Sequence, residues 1–181
     1  MESDLVLVTR VVMLSDEQAF TQLMRKYQRP VRRYFLVQTG GDEMLSDDMA
    51  QETFIRAWQH LDTFRGLSGF GTWLYRIAHN TWCNRVARQH ATLSLDDPAV
   101  MAVVDHVSDD VPAISYDEAT ALRRAISRLP EGERTCISLY YLQEQSIREI
   151  HTITGWPAGT IKSHLARGRN HLKQILSNEI R

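Results

Sequence analysis

An all-α fold of two small helical domains joined by a flexible acidic linker, the second domain containing a helix-turn-helix, is what the sequence predicts on three observations. Only nine of 181 residues are Gly and five are Pro, Leu, Ala, Glu and Arg are abundant, and no stretch of alternating β-branched residues is long enough for a sheet. Apolar residues recur at helical spacing along the chain except between 91 and 115, where two prolines and repeated Asp remove the period. The formal net charge of −1 hides four blocks: −3 over residues 1–62, +4 over 63–95, −7 over 96–118 and +5 over 119–181. Two basic blocks around an acidic one suit two contacts with a polyanion, joined by a segment that avoids it.

The elements follow in order. From Asp16 to Tyr27, Ala19, Phe20, Leu23, Met24 and Tyr27 keep helical spacing behind Ser15, an N-cap residue type. Pro30 fits the first turn of a further helix through Val31, Tyr34 and Phe35, which Gly40 and Gly41 end. Ser46 or Asp47 starts the next helix, with Met49, Ala50, Phe54, Ala57, Trp58 and Leu61 on or near one side. A glycine-rich turn from Arg65 to Gly69 separates it from a long helix over about 70–88. Beyond the linker, periodicity returns over Asp117 to Leu129, and Pro130 opens a helix through Cys136, Leu139 and Leu142. Ser146 to Thr154, stopped by Gly155, and a helix from near Pro157 to about Leu176 form the helix-turn-helix. The domain boundaries are 1–90 and 116–181, with the linker at 91–115.

Several classes are disfavoured. No apolar stretch approaches 18 residues, and the Leu5 to Leu14 segment is broken by Thr9 and Arg10, so a cytoplasmic protein without membrane insertion is expected. Cys83 and Cys136 have no zinc-binding spacing and read as two buried free thiols. No paired carboxylates, nucleophile with a nearby base or phosphate-binding loop stands out, so no enzyme, catalytic residue, metal or cofactor is expected.

Three constellations carry function. Residues 157–173, PAGTIKSHLARGRNHLK, hold four cations and no acid. Ile161, Leu165, Leu172 and Ile175 form their core stripe, leaving Lys162, Ser163, Ala166, Arg167 and Asn170 on other faces. After a short helix and a tight turn this is a major-groove recognition helix, whose Arg and Lys suit guanine edges and whose N-terminus near Thr160 suits a phosphate. In residues 64–89, Phe64, Phe70, Trp73, Tyr75 and Trp82 alternate with Arg65, Arg76, Arg85 and Arg88, a composition for single-stranded nucleic acid. Trp73 and Arg76 lie off the core stripe, with Asn80 a turn beyond, and the glycine-rich loop upstream suits a flipped base. In the third, SDDMAQETFIRAWQHL over 46–61, Asp48, Gln51 and Glu52 form the polar side of an amphipathic helix. By periodicity alone these acids simply complement the helix dipole.

The strings DDMAQETFIRAW, FRGLSGFGTWLYRIAHN and LPEGERTCISLYYLQEQSIREIHTITGWPAGTIKSHLARGRNHL resemble, in order, the second and fourth conserved regions of extracytoplasmic-function (ECF) sigma factors. The resemblance implies a factor that binds core RNA polymerase, recognises the −35 and −10 promoter elements and promotes melting. It implies that Asp48, Gln51, Glu52, Phe54 and Trp58 meet the β′ clamp coiled coil. It implies that Arg65, Gly66, Ser68 and Phe70 belong to the base-accepting loop, and that Trp73, Arg76, His79 and Asn80 hold the upstream fork. Thr160, Lys162, Ser163, Ala166 and Arg167 fall at −35 positions, on a domain that sits on the β flap. An anti-sigma factor is implied as a further partner, and the acidic linker resembles the segment threaded through the RNA exit path. The chain departs from the family at His151 (usually Ala), Thr154 (Leu), His164 (Arg), Gly168 (Ala) and Gly71 (Lys). A free helix-turn-helix regulator would explain residues 131–176 but not the aromatic and basic helix.

Overall fold

A computed structural model describes residues 2–93 and 118–179. Its regular elements are helical, and they group into two domains. The first holds α1 (Asp4–Leu14), α2 (Glu17–Gln38), α3 (Glu43–Gln59), a 3₁₀ turn (Leu61–Thr63) and α4 (Phe70–Leu93). The second holds α5 (Glu118–Ser127), α6 (Glu131–Ile137), a π-helical turn (Ser138–Leu142), α7 (Ile147–Thr154) and α8 (Ala158–Glu179). Residues 91–93 of the expected linker belong to α4. Residues 94–117, and with them the linker and its acidic charge, lie outside the described residues.

Local chemistry moves several expected boundaries. Helix α1 was not expected, although Ser3 caps it by accepting from the Val6 N–H, and Leu7, Val8 and Val11 bury one stripe. Ser15 does not cap α2; it ends α1 in the left-handed region at φ 51°, and Asp16 caps α2 by accepting from the Gln18 and Ala19 N–H groups. Asp16 also pairs with Arg10 at 2.7 Å, and that hydrogen bond holds the Asp16 carboxyl below its ordinary range. Two helices were expected around Pro30, but α2 runs through it without a break. The stripe of Phe20, Leu23, Val31, Tyr34 and Phe35 is continuous and buried. Burying each large apolar side chain is worth about 1.5–3 kcal/mol, so together they outweigh the ~3 kcal/mol cost of an internal proline. Helix α3 starts three residues early because Asp42, rather than Ser46 or Asp47, caps it through the Leu45 N–H.

Helix α6, expected to run through Leu142, changes at Ser138 to a π turn closed by the Gln143 N–H on the Ser138 carbonyl. The wider turn keeps Leu139 buried while Tyr140 and Tyr141 face outward, and it carries the Gln143 side chain back into the protein. Against α8, Ile137 fills the space where a Gly168 side chain would sit: a Cβ there would lie 2.8 Å from Ile137 Cγ1. Cys136 is buried, and burial pushes its thiol up to about 12. Cys83 is exposed, contrary to expectation, at the edge of the buried His79, whose Nε2 lies 3.5 Å from its Sγ.

The domains pack on each other, α4 on α7 and α2 on α5 and α6. Arg33 donates to the Leu142 carbonyl at 2.7 Å, Arg134 to Gln38 Oε1 at 3.3 Å, and the Tyr75 hydroxyl to Gln143 Oε1 at 2.6 Å. This seam decides which faces of α4 remain open.

Candidate nucleic-acid interface

The helix-turn-helix is set by its caps. Ser146 and Glu149 form a reciprocal capping box at the start of α7, and the Ser146 hydrogen bonds hold the Glu149 carboxyl below its ordinary range. Gly155, at φ 77°, ends α7 where a side chain would be strained. Two departures from the family pattern bind within this turn. The Thr154 hydroxyl donates to the Ile150 carbonyl at 2.8 Å and accepts from the Trp156 N–H at 3.1 Å, and His151 Nδ1 lies 2.8 Å from the Trp156 carbonyl. Ile150, Ile153, Ile161 and Leu165 are buried between α7 and α8. That packing leaves Thr160, Lys162, Ser163, Ala166 and Arg167 exposed together, as expected. Arg167 is engaged, 3.7 Å from the Glu133 carboxylate and 3.3 Å from His164 Nδ1, whereas Lys162 has no partner among the described residues.

On α4 an aromatic cluster stands below the glycine-rich loop. Phe70, itself 3% exposed, packs on Tyr27, Phe64 and Trp73 with ring centroids at 5.3, 5.7 and 5.5 Å. Phe70 is thus the floor of the loop rather than an open contact. Above it Arg65 is exposed, Gly66 takes φ 69° and Ser68 is half-buried. Gly71 also has a packing reason, since a Cβ there would lie 3.2 Å from the Tyr27 ring. Trp73 is half-buried, and Arg76 and Asn80 are exposed. His79 departs from this set. It is 5% exposed, with its Nδ1 3.3 Å from the Tyr34 hydroxyl and its ring 5.8 Å from that of Trp156. Burial pushes its pKa down to about 4. In this conformation His79 faces the second domain and meets no solvent face where DNA would lie.

On α3, Asp48 and Gln51 are exposed, and Glu52 pairs along the helix with Arg56 at 2.6 Å. Phe54 is 7% exposed, while Trp58 is 43% exposed with its ring edge-on to Phe20 at 4.9 Å. Between α2 and α3 runs an open groove of about 710 Å³, lined by Phe20, Met24, Gln51, Phe54, Ile55 and Trp58 among others. Asp48 and Glu52 are not in its lining. Sequence reasoning missed the α2 wall, Met24, Gln28 and Arg29: Met24 reads as core by its spacing but is exposed, and the two polar residues follow no stripe. Trp156, which joins α4 to α8, carried no signal either.

Two helical domains, one with a loop and aromatic helix suited to single strands and one with a recognition helix suited to duplex, define a bipartite DNA-binding protein. The chain matches the family models for Sigma-70 region 2 over residues 23–92 and Sigma-70, region 4 over residues 119–172. It is 36% identical to the RNA polymerase sigma-H factor of Pseudomonas aeruginosa, covering 99% of this chain and 97% of that protein. Identity is 36% with the ECF RNA polymerase sigma-E factor of Escherichia coli K12, covering 99% and 97%, and 31% with ECF SigW of Bacillus subtilis, covering 89% and 90%. The fold resembles the sigma factor RpoE bound to the anti-sigma factor NepR from Bartonella quintana, at TM-score 0.73 and 22% identity over 87% of this chain and 96% of that one. It also resembles CnrH in complex with the cytosolic domain of CnrY, at TM-score 0.70 and 22% identity over 98% and 99%. The chain belongs to the ECF family of RNA polymerase sigma factors, and its function is promoter recognition in transcription initiation.

Proposed function

We propose that residues 1–90 dock the chain on core polymerase and open the −10 element, and that residues 116–181 read the −35 element as duplex. The observation that carries this division is the separation of faces. One apolar groove lies between α2 and α3, one aromatic and basic edge lies on α4, and one outward row lies on α8. In the groove, Gln51, Phe54 and Trp58 supply an aromatic anchor with a polar neighbour, suited to an apolar helix of the β′ clamp coiled coil, with Asp48 and Glu52 outside its lining. On α4, Trp73 stacks on an unpaired base, Arg76 and Asn80 hold the fork, and the Arg65, Gly66 and Ser68 loop over Phe70 accepts the flipped base. His79 joins them only after the domains part. On α8, Lys162, Ser163 and Ala166 face bases, with Thr160 and Arg167 toward phosphates. The second domain also meets the β flap.

One solved neighbour is the sigma factor RpoE in complex with the anti-sigma factor NepR, which supports an anti-sigma partner for this chain. No described helix is long and apolar enough to cross a membrane, and the cytoplasm, where the template is, is the expected site of action. The chain works by binding, with no reaction of its own. The test is transcription by core polymerase with added chain, on a duplex promoter and on one pre-opened at the −10 element. Trp73→Ala is expected to lose activity on the duplex by the equivalent of about 1–3 kcal/mol, one base stack, and to recover on the pre-opened template. An equal loss on both would remove Trp73 from melting.

A further inference from the structure

Of the two cations in the outward row on α8, Arg167 alone meets an acid, and that acid is buried. Glu133 is the third residue of α6, and its side chain is 6% exposed. An acid in a first helical turn can serve the helix dipole from an exposed position, as Glu131 does two residues earlier. Burying a carboxylate costs far more than the dipole returns, so Glu133 needs partners. It has two, both on α8. Its Oε2 lies 2.7 Å from His171 Nδ1, and its Oε1 lies 3.7 Å from Arg167 Nε.

Helix α8 brings these groups to one side because positions 164, 167 and 171 are spaced by three and four residues. Gly132 makes room for the first of them, since a Cβ there would stand 2.6 Å from His164 Cε1. His164 Nδ1 in turn lies 3.3 Å from Arg167 Nη2. The guanidinium is therefore held on two edges, by the carboxylate at Nε and by the imidazole at Nη2, and Nη1 has no partner among the described residues.

A phosphate approaching Arg167 meets a charge already answered from within the domain. It either displaces Glu133 or accepts a neutralised pair, and both weaken the contact relative to a free arginine. The +5 formal charge of residues 119–181 attracts DNA backbone in general, and this pair subtracts from that attraction on the reading helix itself.

We propose that Glu133 is a positioning residue that restrains Arg167 and so lowers the affinity of the second domain for duplex backbone, and that His171 moderates the restraint by taking part of the same carboxylate. The proposal rests on the reading above that Arg167 faces phosphate.

The test is the affinity of the holoenzyme for a duplex promoter fragment at fixed salt and about pH 8, above the ordinary histidine range. Glu133→Gln keeps an acceptor for His171 and removes the charge beside Arg167. It is expected to bind about threefold more tightly, the worth of a largely exposed ion pair. His171→Ala leaves the carboxylate to Arg167 alone and is expected to bind about twofold more weakly. In an Arg167→Ala background both changes should lose their effect, whereas the general field of one charge would persist. A residue that served folding alone would move the thermal midpoint and leave this cycle additive. Weaker or unchanged binding by Glu133→Gln overturns the restraint, as does a gain of the same size without Arg167. If Glu133→Gln does not fold, His171→Ala decides, its side chain being 44% exposed: a loss that Arg167→Ala abolishes upholds the restraint, and unchanged affinity overturns it. A loss in Arg167→Ala with no gain in Glu133→Gln sinks the restraint alone. No loss in Arg167→Ala itself sinks the phosphate reading, and the restraint with it.

Discussion

Lys162 and Arg167 stand five residues apart on α8, about 140° around the helix axis after one full turn, so they cannot address the same base pair. The structure separates them further. Arg167 is held by Glu133 and His164, while Lys162 has no partner among the described residues and is the freer side chain of the two. Lys162→Ala in the holoenzyme, titrated against every single-base −35 variant, is expected to lose about 1–3 kcal/mol at one position. Arg167→Ala is expected to weaken all variants alike and to lower the salt slope by about one. Uniform weakening by Lys162→Ala would remove it as a base reader. At this scale the exposed row on α8 was legible in the sequence, because Ile161 and Leu165 fix which side is buried. His79 was not legible. Its neighbours on α4 fit a DNA-facing edge, and only Trp156, 77 positions along, reveals what covers it.

Among the elements, α6 and α8 cross with Gly168 against Ile137, and the usual propensity argument reverses there. In an open helix interior, Gly→Ala gains about 1 kcal/mol. Here the new Cβ would meet Ile137 Cγ1 at 2.8 Å and Glu133 Cβ at 3.4 Å. Gly168→Ala is therefore expected to destabilise by about 1–3 kcal/mol, an overpacking cost, and to lower the thermal midpoint by several degrees. A raised midpoint would show that the crossing relaxes freely. The helices themselves were largely readable, since 3.6-residue stripes survive in every long one. Their ends were less so. Asp42 and Asp16 outcompete nearby Ser and Asp residues of equal capping propensity, and only the packing of the following stripe decides between them. Pro30 misled for the same reason, as one local rule opposed a stripe of five buried side chains.

For the whole molecule, the seam makes stability depend on pH through His79. Its folded pKa of about 4 is below the ordinary 6.5, so the folded state disfavours the proton. Stability is therefore complete above about pH 7.5 and declines as pH falls from 6.5 toward 4. Acidification from pH 7.5 to 5.5 is expected to cost on the order of 1 kcal/mol by this group alone, measured by urea unfolding. Tyr34 on α2, Cys83 on α4 and Trp156 from the turn face the ring. His164 is also depressed, chiefly by burial, and adds to the decline in the same direction, so the decisive comparison is His79→Asn, which should flatten His79's share of the slope. An unchanged slope would mean that His79 protonates without cost. The seam was invisible in the sequence because its partners, such as Thr72 with Glu149 and Arg33 with Leu142, are 77 and 109 positions apart and share no period.

The chain order of that seam has a consequence during synthesis. Helix α4 ends at Leu93, and the first domain can pack as soon as it leaves the ribosome, but Gln143, the partner of Tyr75, follows fifty positions later. At about 5–20 residues per second, roughly 3–10 s pass before Gln143 is made, and the finished first domain waits longer still, about 4–17 s, for the second domain to be complete through Glu179. During that interval the nascent chain shows water Thr72, Tyr75, His79 and Trp82, the α4 side chains that will meet the second domain. Four Leu or Ile at the same positions would expose a sticky apolar strip on every growing polypeptide, whereas these four can hydrogen-bond to solvent until their partners are translated.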